Sequence, residues 1–170
     1  AKVLYSGQGM YFLYECEDKK LTATLQADFL DLWNEDVIEV FLQPDKNRIA
    51  YLEYELSPLN FELPIMIYND KGKLNSWMPF HYGGNQKTKH MVTVRGGEQK
   101  PHADVQGWTA EFFLPFTLMK PVLDKAPVSG DQWKGNIFRI DYDKGQTLFS
   151  WQKTGPSFHE YDKFATFIFE

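Results

Sequence analysis

Cysteine is almost absent from this chain. Cys16 stands alone, so no internal disulfide can form and no Cys/His zinc pattern exists. Its alternation with Tyr14 and Phe12 reads as a buried thiol on a strand. Clustered basic residues are missing as well. Lys19-Lys20 is only a pair and the net charge is −5, which argues against nucleic acid, because phosphate binding needs grouped Lys and Arg. No apolar run approaches the roughly 18 residues that span a bilayer, so membrane insertion is not expected. Nucleophile elbows, phosphate loops, His-Glu-x-x-His and dinucleotide fingerprints are all lacking. The carboxylate pairs Glu39–Glu55 and Glu39–Glu111 could be forced into a glycosidase role only with difficulty, so no enzymatic activity is expected. The chain opens on Ala1 with neither Met nor a signal-peptide h-region, which suggests a processed or excised product.

Aromatic residues are abundant. They make up 16% of the chain, with 14 Phe, 9 Tyr and 5 Trp, and favour strands over helices. With 43% hydrophobic and 24% charged residues, a real core can be buried. Strand candidates recur between turn signals: Met10–Cys16, Leu21–Ala27, Val37–Gln43, Ala50–Leu56, Ile65–Asn69, Met91–Arg95, Trp108–Leu114, Ile137–Asp143, Thr147–Trp151 and Phe164–Phe169. This spacing predicts an all-β antiparallel sandwich of the immunoglobulin or jelly-roll kind, one domain over residues 1–170, and a monomer. Asn69-Asp-Lys-Gly72 and Asp143-Lys-Gly145 carry turn chemistry. One short helix is expected near Pro115–Leu123, stopped by Pro121. The polar region from about His81 to Gly107 reads as long connections.

The segment from Asp28 to Pro44 is the most informative. Asp28-Phe-Leu-Asp31-Leu-Trp33-Asn-Glu35-Asp36 runs straight into Val37-Ile-Glu39-Val-Phe-Leu-Gln. Period-two alternation puts Ile38, Val40 and Leu42 on one side and Glu39 on the other, so a flat ring and a carboxylate leave the backbone close together. That pair suits a ligand with C–H faces and a hydroxylated rim, a sugar. Trp108, Ala110, Phe112 and Leu114 share a core face, leaving Glu111 outward and solvated. Phe138, Ile140 and Tyr142 share one face, Arg139 and Asp141 the other. Arg139 is expected either to grip hydroxyls with its fork of donors or to pair with Glu39, Glu55 or Asp141. Glu53 and Glu55 share a row opposite Leu52, Tyr54 and Leu56; neighbouring carboxylates repel, which makes Arg139 their expected neighbour. Phe158 and His159 lie in a Gly-Pro-Ser loop and are binding candidates, His159 more as a brace than as a reactive group. Asp28, Asp31, Glu35 and Asp36 could offer oxygens to calcium, but lack the regular spacing and Gly of a helix-loop-helix site.

Taken in order, these segments resemble carbohydrate-binding modules of family 9 and their relatives in the DOMON-like group, over nearly the whole chain. The matching pieces are Tyr11-Phe-Leu-Tyr14 with Glu17-Asp18, Leu32-Trp33 through Glu39-Val-Phe-Leu, Tyr51-Leu-Glu-Tyr54-Glu-Leu-Ser57-Pro58, Gly107-Trp through Pro115-Phe, Gly135-Asn-Ile-Phe-Arg139-Ile-Asp141, Ser150-Trp151, and Phe158-His159 ahead of Phe164. The resemblance implies a β-sandwich holding a terminal sugar between two aromatics, here Trp33 and Phe158, the latter where characterised members carry Trp. It implies hydroxyl contacts at Glu39 and Arg139, with Glu55 and His159 nearby, possible structural calcium, and a secreted, periplasmic or cell-surface bacterial protein accompanying glycoside hydrolases that degrade polysaccharides. The chain departs from the pattern at Glu55, near where a binding member has a basic residue, and at Ala165, where Gly is usual.

Two other classes compete. DOMON-like relatives include haem-binding electron-transfer domains, for which Met10, Met78, Met91, His81, His90, His102 and His159 are available axial ligands, though none forms a diagnostic pair. A structural or assembly domain without a ligand would instead pack its aromatic loops against a neighbour.

Overall fold

The computed structural model describes residues 1–71 and 73–170. Within them, alternating side chains produce eleven strands: β1 (Lys2–Tyr5), β2 (Gly9–Cys16), β3 (Val37–Gln43), β4 (Ala50–Leu56), β5 (Glu62–Asp70), β6 (Lys73–Pro79), β7 (Lys89–Arg95), β8 (Gly107–Pro115), β9 (Gln132–Asp141), β10 (Thr147–Ser150) and β11 (Ala165–Ile168). They form two antiparallel sheets. The smaller is ordered β1-β2-β8-β7; the larger runs β10-β9-β3-β4-β5-β6, with β11 also paired to β9. The chain is an all-β sandwich.

Between the sheets, Met10, Phe12, Tyr14 and Cys16 of β2 and Trp108, Ala110, Phe112 and Leu114 of β8 meet Ile38, Val40 and Leu42 of β3 and Leu52, Tyr54 and Leu56 of β4. Each such side chain contributes on the order of 1.5–3 kcal/mol by leaving water. Phe12 and Phe112 stack at 4.9 Å. Two of the polar groups brought inside find partners at once. Tyr14 donates to the Glu39 carbonyl at 2.8 Å, and the Trp108 indole N–H donates to Asp18 at 2.8 Å.

The large sheet is buried on its other face too. Val37, Phe41, Tyr51, Leu63, Ile65, Ile67, Phe138 and Ile140 form a second cluster, closed over by Leu32 and Phe164 from the flanking loops. This layer positions the candidate site.

Several local expectations differ from what is seen. Leu21–Ala27 joins no sheet; Leu21 and Ala23 are buried as the chain crosses between layers, held by bonds such as Leu21 N–H to the Ala103 carbonyl. Pro115–Leu123 forms successive turns closed by i→i+3 bonds rather than a helix, since Pro121 lacks the N–H that would continue the ladder. The short edge strand β1 and the exposed strand β6 lack the alternation that reveals strands in sequence.

Candidate functional site

Trp33 sits in a single 3-10 turn, Leu32–Asn34, directly before β3. The turn is anchored by buried Leu32, and Tyr142 donates its hydroxyl to the Trp33 carbonyl at 3.0 Å. Asp36, at the turn's exit, accepts from the backbone N–H groups of Thr22 at 2.6 Å and Tyr142 at 2.8 Å. Burial raises its pKa to about 7 despite these bonds.

From the opposite side comes the loop of Phe158 and His159. Phe158 stacks face to face on Phe138, with centroids 4.0 Å apart and 15° between planes. His159 stacks on Phe41, and its Nδ1 lies 2.8 Å from the Tyr51 hydroxyl. Its carbonyl accepts from Asn69 Nδ2 at 2.6 Å. Burial lowers the imidazole pKa to about 4, so the ring is neutral at pH 7 and acts as the brace of its loop. The third wall is Trp77 of β6, opposite Ile67 and edge-on to Trp33 at 5.1 Å and 81°.

These elements enclose a cavity of about 370 Å³ lined by Trp33, Trp77, Phe158, His159, Glu39 and Glu53, among others. Its floor is acidic. Glu39 stands opposite Glu55 across the β3–β4 ladder, with Glu53 two residues along β4; one oxygen from each of the three lies within 4.8 Å of the others. They are 2%, 0% and 4% exposed for Glu39, Glu55 and Glu53 respectively. Burial, followed by the charge of Glu53, pushes the Glu39 pKa well up. Glu55 is pushed up by burial and then by the charges of Glu39 and Glu53. Burial raises Glu53 to about 7.

Trp33, Glu39, Phe158 and His159 thus converge as the sequence suggests, and Glu55 lies sealed beneath them. Arg139 does not join them. It is registered opposite Ile38, whereas Phe138 is opposite Glu39, so Arg139 leaves the other side of the sheet. There it pairs with Asp18 at 3.0 Å and Asp141 at 2.9 Å and lies over the Trp108 ring. The expectation that it neighbours Glu53 and Glu55 is corrected, while its pairing with Asp141 is found. The physical reason is the second apolar layer: with both faces of the sheet buried, the hydrophobicity of Phe138 and Ile140 does not reveal which core they face.

Trp77 and the pocket role of Glu53 were missed. A signal existed for Trp77. The turn chemistry at Asn69–Gly72 implies a returning strand, and that strand carries Trp77 beside Ile67.

In the acidic loop, Asp28 accepts from the Glu62 backbone N–H, Glu35 from those of Thr24 and Leu25, and Asp36 from those of Thr22 and Tyr142, so these three carboxylates cap backbone amides. Of the candidate haem ligands, Met10 lies in the inter-sheet core, Met78 and Met91 are exposed on β6 and β7, and His159 stacks on Phe41.

No family model matches the chain. It is 24% identical over 177 residues to a protein of Arthroderma benhamiae named "Extracellular protein", covering 99% of this chain and 77% of that one. Among solved structures, a candidate carbohydrate-binding protein from Bacteroides uniformis superposes with a TM-score of 0.79 at 18% identity, over 99% of this chain and 76% of its own. A family 9 carbohydrate-binding module from Caldicellulosiruptor kristjanssonii in complex with cellotriose gives 0.64 at 13% identity, over 99% and 73%. The same kind of module in complex with glucose gives 0.63 at 13%, over 99% and 74%. The fold is that of these family 9-like modules.

Proposed function

We propose that this chain is a non-catalytic carbohydrate-binding module that holds a sugar between aromatic side chains. The carrying observation is the convergence of Trp33, Trp77 and Phe158 on one cavity whose floor is Glu39 and Glu53. Aromatic faces accept the C–H faces of a pyranose, and carboxylates accept its hydroxyl protons. A cavity of this size lies within the range of small-molecule sites. The solved neighbours in complex with glucose and cellotriose support the reading. The extracellular name of the Arthroderma relative supports a role outside the cell, and we place that role in polysaccharide degradation.

The test is titration with a panel of neutral and amino monosaccharides and disaccharides, followed by Trp fluorescence and calorimetry. Saturable binding is expected, with the fluorescence change abolished in Trp33→Ala. Silence across the whole panel, or an unaltered response in Trp33→Ala, would remove this function and site.

A further inference from the structure

The floor of the cavity gathers three carboxyl groups with no cation beside them. The other fully buried carboxylates are served by donors: Asp18 by Arg139 and Trp108, Asp36 by two backbone amides, and Glu62 by Tyr54 and Thr88. The Glu39–Glu53–Glu55 group differs. Among the described residues no Lys, Arg or His forms an ion pair with it. Glu53 Oε2 and both carboxylate oxygens of Glu55 are buried without a donor. Three like charges so close, out of water, are strongly unfavourable unless protons or a cation join them. Glu39 and Glu53 face the cavity, so a ligand can supply that cation from outside.

Building on the carbohydrate reading, we propose that the pocket selects a sugar bearing a free ammonium group, an amino sugar, whose charge lies against Glu39 and Glu53 with Glu55 behind them. An ammonium offers three N–H donors and one positive charge to carboxyls that otherwise have only shared protons to relieve their repulsion. The walls suit the same ligand, since Trp faces attract cations and stack on ring C–H groups. A bare divalent cation fits less well. Calcium takes six to eight oxygens, whereas the lining beyond the carboxyls is mostly apolar and aromatic, with Gln146, Ser157 and His159 its remaining polar side chains. Strand carbonyls lie in the plane of the sheet, spent on its ladders, and do not point into the cavity.

The test compares glucosamine, N-acetylglucosamine and glucose by calorimetry on the intact chain at neutral pH and low salt, with calcium chloride and methylamine as separate titrants. Glucosamine is expected to bind roughly tenfold or more tighter than glucose or its N-acetyl form. In Glu53→Gln, which keeps the side chain's shape, that ratio should fall toward one. Equal affinity for all three sugars overturns the ammonium preference and leaves sugar binding intact. Failure of every sugar removes both readings. Stoichiometric calcium binding that Glu53→Gln abolishes overturns the proposal in favour of a metal. Methylamine binding as tight as that of glucosamine overturns it in favour of a simple amine. The wild-type panel decides the matter even if the variant does not fold.

Discussion

Replacing Glu53 by Gln should make the ligand-free protein more stable at pH 8 and change little at pH 4.5. Burial holds the Glu53 carboxyl at about 7, against an ordinary 4.5. A folded-state pKa above the unfolded one means that the native state binds the extra proton between these values. The associated stability is therefore fully present below about pH 4.5 and is lost as pH rises through about 7. The gap amounts to about 3 kcal/mol once Glu53 is ionised. Gln cannot ionise and escapes this loss, which for a chain of this length is worth roughly 6–12 °C in melting temperature. The wild-type profile alone would mislead, because His159 acts in the opposite sense. Its pKa is lowered to about 4, so its contribution is present above about 6.5 and is lost as pH falls toward 4. The informative quantity is the difference between wild type and variant in urea unfolding at pH 4.5, 6 and 8, without sugars or divalent cations. A difference that stays constant across pH, or a wild type that is the more stable at pH 8, would refute the account of a strained acidic floor.

Arg139→Ala should cost about 3 kcal/mol in urea unfolding by stranding Asp18, whose side chain is fully buried. It should leave sugar affinity within about twofold, and a large loss of affinity would put Arg139 back in the pocket. Tyr51→Phe should cost about 1 kcal/mol by removing the partner of His159 Nδ1, and should broaden Phe158-loop resonances in NMR spectra. The His159 imidazole should titrate by NMR with a midpoint near pH 4; an ordinary midpoint near 6.5 would contradict its buried, neutral state. Trp77→Ala should weaken sugar binding by about tenfold with a small effect on stability, because the ring is 43% exposed.

How much was readable follows from how each element is buried. The bounds of β3 and β4 coincide with the alternation in Val37–Gln43 and Ala50–Leu56, since side-chain period alone decides which residues share a face. The inward row of β8 was equally plain, because its other face carries Thr109 and Glu111 and is partly open to solvent. Arg139 was misassigned because β9 lies between two apolar layers, where alternation reports two faces without saying which is which. β6 was missed because a mostly exposed edge strand needs no apolar face, and Trp77 went with it.

By itself, the sequence determined the all-β class, the core rows of the central strands and the adjacency of Trp33 to Glu39. These are local, depending on backbone period and on residues a few positions apart. Tertiary structure alone decided that Phe158 and Trp77 close over that pair, that Arg139 faces away, and that three carboxylates meet without a counter-charge. Those outcomes depend on strand register, and β3 finds β9 and β4 by burying surface on both sides of the sheet, which no single stretch of sequence encodes.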